Sequence, residues 1–140
     1  MPEDRYSRGL KLMEAVQGPE AGERIRASVG QVSPDFARYM VEAGFADVYA
    51  REGLTLVQRE LLNVGVLCAI GGAEPQLAAH VRGALHVGVS PEEIVEAIFH
   101  VCLYAGHPRT LNGLRVAKEV FDEHGIATPL GRSDDDPKEG

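Results

Sequence analysis

Tryptophan is absent from this chain of 140 residues, and cysteine occurs only at Cys68 and Cys102. Two thiols that far apart make no disulfide framework, so both are expected as free, buried thiols. Basic residues are outnumbered, with 14 Lys and Arg against 21 Asp and Glu and a net charge of −7. A grip on nucleic acid needs a clustered basic face, and this balance argues against one. Long apolar runs are missing too. The longest, "LLNVGVLCAIGG", falls short of the roughly 18 residues of a membrane span and reads as the centre of a buried helix. The opening "MPEDRYSRGLKLMEAV" has no charged-then-apolar signal architecture, so a cytoplasmic protein is expected. A convincing alternating strand pattern occurs nowhere.

What remains is helix. "RYSRGLKLMEAV" sets Tyr6, Leu10, Met13 and Val16 on one stripe at helical spacing. "GPEAGERIRASVG" reads as a short helix or turn between glycines. In "SPDFARYMVEAGFADVYA", Ser33 is an N-cap and Pro34 takes the first helical position. Its apolar face is predicted to hold Phe36, Tyr39, Met40 and Phe45. Thr55 caps a long helix through Ile70, which Gly71 and Gly72 end. The next helix runs from about Ala73 to Val87 and stops at Gly88. "SPEE" opens another, with Glu93 at capping-box spacing from Ser90. That helix carries Ile94, Ile98, Val101, Cys102 and Ala105 on one face and ends at Gly106. A last helix begins around Pro108.

The expected architecture is therefore all-α, a single-domain helical bundle of six to seven helices over residues 1–127. Residues 128–140, "TPLGRSDDDPKEG", are polar, acidic and turn-rich, and are expected to form a disordered tail. Several helices are short and apolar on more than one face. Such faces need cover, and a chain with 44% apolar residues and this length has little material to supply it alone. A homo-oligomer is the economical answer.

One polar residue stands out. In "EPQLAAHVRGAL" the buried stripe is Leu77, Val81 and Ala84, and His80 lies on its flank among small Ala78, Ala79 and Gly83. A lone helical histidine is ordinarily a packed or surface residue. Here a partner is available: Glu60 on the preceding helix has Leu56, Val64 and Leu67 at helical spacing. A carboxylate against an apolar wall needs a partner. Consecutive helices joined by a short glycine turn bring Glu60 and His80 within reach, as an acid/base unit. The plainer alternative is a salt bridge from Glu60 to Arg59 or Arg82.

The run from Leu54 to Phe121, above all "QLAAHVRGAL", "GVSPEEIVEAI" and "YAGHPRTLNGLRVAKEV", resembles the carboxymuconolactone decarboxylase family. Its helical fold is shared with alkylhydroperoxidase D. The similarity extends upstream through "RYSRGLKLMEAV" and down to about His124. In the redox branch of that family a Cys-x-x-Cys pair precedes the histidine corresponding to His80. Here those positions are Ala73 and Gln76, and neither can form the thiolate nucleophile such chemistry requires. The resemblance implies hexamers, and a reaction in which an unsaturated lactone acid loses carbon dioxide without a cofactor. Electrons from the breaking bond flow through the ring double bond to the lactone carbonyl, so the substrate is its own sink.

On this resemblance His80 serves the dienolate or its proton, and Glu60 orients His80 or relays the proton. Arg59, Arg82 and Arg109 are candidate carboxylate anchors. Arg82 lies roughly 200° around the helix from His80 and points elsewhere. Tyr104 and His107 join Arg59 and Arg109 as candidate substrate-binding residues. His107 is predicted in an interhelical turn, where functional groups often sit. His86 reads as solvated, and His100 as paired with Glu96 or Tyr104 along one helix. The histidine spacings match no compact metal motif. His86 and His107 depart from the decarboxylases, and two further departures bear on the reaction itself: Glu60 replaces a small polar residue, and Gln76 an acidic one. The expected substrate is therefore 4-carboxymuconolactone or a related small anionic lactone. A thiol-dependent antioxidant and a non-catalytic oligomer that binds a small acid are the alternatives.

Overall fold

The computed structural model describes residues 1–130, and residues 131–140 of the expected tail lie outside them. The described residues fold into α1 (Arg5–Gln17), α2 (Ala21–Ala27), α3 (Val29–Val32), α4 (Pro34–Tyr39), a π-helical segment (Met40–Tyr49), α5 (Leu56–Ile70), α6 (Glu74–Val87), α7 (Pro91–Ala105) and α8 (His107–Glu123). Ser28 breaks α2 from α3, and α4 runs straight into the π segment. With α2 and α3 counted as one interrupted body, and α4 and the π segment as another, these make seven helices, with no strand among the described residues.

Local chemistry sets the boundaries. Thr55 and Ser90 each accept a backbone N–H three residues on, while Gln58 and Glu93 reach back to the cap, completing two capping boxes. Ser33 caps α4 ahead of Pro34. Gly88 ends α6 at φ 105°, in the left-handed region that glycine enters without a Cβ penalty. His107 is no turn residue: it is the first residue of α8, because Gly106 already ends α7.

Two cores result. The larger joins α5 to α8 around Val64, Leu77, Val81, Ile94, Ile98 and Phe121, and Ile126 and Leu130 pack against it. Each such side chain contributes roughly 1.5–3 kcal/mol when fully buried. The smaller gathers Met13, Ala21 and Val41, flanked by Tyr6, Leu10, Ile25 and Phe45. Helix α1 bridges the two, packing on both the π segment and α6.

The face predicted for α4 and its continuation is corrected here. Phe36, Tyr39 and Met40 are exposed, and Ala37, Val41 and Ala46 are buried instead. Those three are spaced by four and then five residues, the longer step falling where the winding becomes π. Small side chains win the inner position because the π segment lies almost against α1. A Cβ on Gly9 would sit 2.4 Å from the Val41 carbonyl oxygen. On the outside, Leu62, Val66 and Ile70 of α5 and Phe99, Leu103 and Tyr104 of α7 stay exposed.

Because the atom facing Gly9 is backbone, no rotamer change relieves a clash there. The variant Gly9→Ala is expected to lose about 1–3 kcal/mol of stability through overpacking. Urea denaturation with an unchanged slope would show it; a midpoint equal to wild type would contradict this packing.

Candidate active site

Helix α5 buries a single stripe, Glu60, Val64 and Cys68, at successive four-residue steps. Helical periodicity therefore carries a carboxyl group inward with the apolar side chains, and Glu60 has 0% of its surface exposed. The glycine turn doubles the chain back into α6, which passes directly over that carboxyl. Gly83 makes the approach possible: a Cβ there would lie 3.1 Å from Glu60 Oε2 and 3.2 Å from Val16 Cγ1.

A polar group so placed costs several kcal/mol unless it is hydrogen-bonded, and here both oxygens are. His80 Nδ1 is 2.8 Å from Glu60 Oε2. The Tyr49 hydroxyl donates to Glu60 Oε1 at 2.5 Å, and Asn63 Nδ2 donates to the same oxygen at 3.3 Å. Asn63 Nδ2 also donates to the Tyr49 hydroxyl oxygen and lies 3.4 Å from His80 Nδ1. The His80 side chain keeps 21% of its surface, so one edge of the ring faces outward while the other is tied to the buried carboxyl. The salt-bridge alternative fails for Arg82, which grips Glu123 with two hydrogen bonds of 2.9 and 3.0 Å.

Tyr49 and Asn63 escaped the sequence reading. Asn63 sits one turn beyond Glu60, a spacing that was open to inspection. Tyr49 is the last residue of the π segment, and only the tertiary structure folds it back over α5. Its ring stacks on Phe45, with centroids 4.5 Å apart. Burial, followed by the hydrogen bond to Glu60 and that group's charge, pushes the phenol well above the usual tyrosine range. Tyr49 thus stays a hydrogen-bond donor.

Arg59 belongs to the same cluster. Its guanidinium lies 5.9 Å from the Tyr49 ring centroid and donates to the Arg51 carbonyl at 2.8 Å, while its buried Nε has no hydrogen-bond partner. Among the described residues it has no carboxylate partner.

The other candidates gather elsewhere. Arg109 fills the space beside Gly71 and donates to the Ile70 carbonyl at 2.7 Å. It satisfies the end of α5, about 15 Å along that helix from Glu60. Tyr104 is exposed beside His100, with ring centroids 6.0 Å apart. His107 lines an apolar depression of about 520 Å³ with Phe99, Cys102 and Leu103. His86 lines a separate depression of about 510 Å³ with Gln17, Arg24, Arg82 and Gly83. Among the described residues no three His, Cys, Asp or Glu side chains form a metal-binding group. Both thiols are free. Cys68 donates to the Arg109 carbonyl at 3.3 Å, and burial pushes its thiol up, away from the thiolate a redox nucleophile needs.

The sequence profile of the carboxymuconolactone decarboxylase family fits residues 34–119, a span that includes Tyr49, Glu60, Asn63 and His80. This chain belongs to the carboxymuconolactone decarboxylase family. It is 34% identical over 125 residues to the 4-carboxymuconolactone decarboxylase of Acinetobacter baylyi, covering 89% of this chain and 92% of that one. The nitrosuccinic acid decarboxylase of Metarhizium robertsii is 29% identical over 119 residues, 84% of this chain and 82% of the relative. An uncharacterised 15.0 kDa protein of Paracoccus denitrificans shares 37% over 91 residues, 64% of this chain and 68% of its own. No described helix of this family member is long and apolar enough to cross a membrane.

The raised Tyr49 phenol has a consequence for stability. An unfolded tyrosine ionises near pH 10, whereas the folded one holds its proton longer. Above that pH the unfolded chain binds fewer protons than the native one, so stability falls as pH rises. The stabilisation linked to Tyr49 is complete below about pH 10 and is lost above it. Alkaline unfolding of wild type is expected to be steeper than that of Tyr49→Phe. Equal steepness would show that burial and Glu60 do not hold the phenol protonated.

Proposed function

We propose that this chain is a cofactor-free carboxy-lyase that removes carbon dioxide from 4-carboxymuconolactone or a related small unsaturated lactone acid in aromatic catabolism, acting in the cytoplasm. The observation that carries the reading is the 2.8 Å contact between an imidazole that keeps 21% of its side-chain surface and a fully buried carboxyl. Such a pair holds a proton at one fixed place, with part of the imidazole left open to a bound anion. The names of two relatives, which describe loss of carbon dioxide from small acids, support it.

The steps follow from what the substrate lacks. Its carboxylate leaves as carbon dioxide when the C–C electron pair moves through the ring double bond onto the lactone carbonyl. That creates a dienolate, whose distal carbon must gain a proton. The His80 imidazolium delivers it from Nε2, on the edge of the ring turned away from Glu60, and Glu60 steadies the positive ring before transfer. Neutral His80 then regains a proton from water, so one proton is consumed per turnover. Arg59, with no carboxylate partner among the described residues, is the cation that would hold the substrate's carboxylate. A guanidinium also draws the substrate to the site in a chain that is otherwise acidic.

Carbon dioxide release from 4-carboxymuconolactone tests the reading directly. Wild type should turn over, and His80→Ala should lose about 10²–10⁴-fold in kcat. Full turnover by His80→Ala would remove His80 from the chemistry. No release by wild type from any lactone acid would end the proposal.

We further infer that the working form is a homo-oligomer, a trimer or hexamer. Supporting it are Leu62, Val66 and Ile70 on α5 and Phe99 and Leu103 on α7, which face outward and are apolar. Light scattering should give the mass of a trimer or hexamer for wild type and a lower one for Phe99→Asp with Leu103→Asp. A monomeric wild type would exclude the assembly.

A further inference from the structure

The hydrogen between Glu60 Oε2 and His80 Nδ1 has two possible homes, and only one of them leaves Nε2 free to trade protons with a substrate. We propose that Tyr49, backed by Asn63, is a positioning residue that keeps this hydrogen on His80 Nδ1. Its role concerns the proton, beyond mere packing.

The argument is one of counting donors. Tyr49 has a single hydroxyl hydrogen. Asn63 Nδ2, itself a donor, faces the phenol oxygen, so that oxygen accepts there and its own hydrogen points to Glu60 Oε1. A second Asn63 hydrogen is directed toward the same carboxyl oxygen at 3.3 Å. Oε1 therefore receives donors from two sides and has no room for a hydrogen of its own. Hydrogen bonds to a carboxylate are strongest when it is ionised, so two of them on Oε1 favour a negatively charged group. The positive guanidinium of Arg59, beyond the Tyr49 ring, acts with the same sign. An ionised Glu60 can only accept from His80, which must then carry its hydrogen on Nδ1.

Remove the phenol hydroxyl and the balance changes. Glu60 remains buried under Gly83 and Val16 but loses its nearest donor. A buried charge short of one partner lowers its energy by taking up a proton. That proton would sit on Oε2 and donate to His80 Nδ1, driving the ring to the Nε2–H tautomer. The ring would then carry its Nε2–H as a neutral imidazole, a far weaker acid than the imidazolium, and delivery of the proton to the dienolate would slow.

Nitrogen-15 spectra of histidine-labelled full-length protein, at about pH 8.5 where an ordinary imidazole is neutral, read this directly. Wild type should show His80 with a protonated Nδ1 and a bare Nε2. Tyr49→Phe keeps the ring over Phe45 and under Arg59 and removes only the hydroxyl. It should raise the Nε2–H to Nδ1–H ratio at least tenfold and reduce kcat by roughly tenfold or more, with KM little changed. Asn63→Leu should shift the ratio in the same direction by less, and it provides a second test if Tyr49→Phe does not fold. A folded Tyr49→Phe with unchanged His80 nitrogen signals overturns the proposal. So does loss of folding in both variants, which would make the clamp a structural brace. The kinetic part rests on the proton-donor role proposed for His80, but the tautomer does not. A wild type inactive on every lactone acid, whose tautomer still flips in Tyr49→Phe, would sink the decarboxylase reading and leave this one standing.

Discussion

The structure turns on the burial of one carboxyl group. Glu60 occupies a position on α5 that helical spacing reserves for the core, between the turn that enters the helix and Val64. Its oxygens must find donors within the protein, since water does not reach them. Three parts of the chain supply those donors: α5 itself through Asn63, α6 through His80, and the end of the π segment through Tyr49. Removing one partner of a buried charged pair typically destabilises by about 3–5 kcal/mol. The same contacts therefore hold the helices in register and set the protonation of the site.

Close helix approach is the second constraint, and it serves the first. Gly83 lets α6 pass over Glu60, and Gly9 lets the π segment settle against α1. Both glycines are helical, where they cost roughly 1 kcal/mol relative to alanine. The gain is proximity. A Cβ at Gly83 would crowd the carboxyl oxygen that His80 uses. Most other charged side chains near these helices have structural partners: Arg82 with Glu123, Lys118 with Asp122, and Arg109 with the end of α5. Arg59 stands apart because its neighbours are an aromatic face and a backbone carbonyl.

Much of this was legible beforehand. The capping pairs Thr55–Gln58 and Ser90–Glu93 are local chemistry, separable from the rest of the molecule, and so they mark the helices faithfully. Two amphipathic stripes joined by a short glycine turn put Glu60 and His80 within reach of each other, while Arg59 and Arg82 stayed open as partners for Glu60 until the structure paired Arg82 with Glu123. The α4 face was misread because the prediction set the large side chains inward. Phe36, Tyr39 and Met40 came out exposed, and Ala37 and Val41, each one position on from Phe36 and Met40, took the inner face. Arg109 looked like a free anchor because nothing local reveals that an α5 carbonyl lies beside it.

The order of residues alone determined an all-helical chain and its helix ends, since each depends on side chains within a few turns of one another, and it brought an imidazole within reach of a carboxyl on the neighbouring helix. Only the tertiary structure decided which donors complete that carboxyl, and that Arg59 beside Tyr49 has no carboxylate partner among the described residues. Those outcomes depend on where the π segment and α8 come to rest, and a helix carries no record in its own sequence of what a distant helix will lay against it.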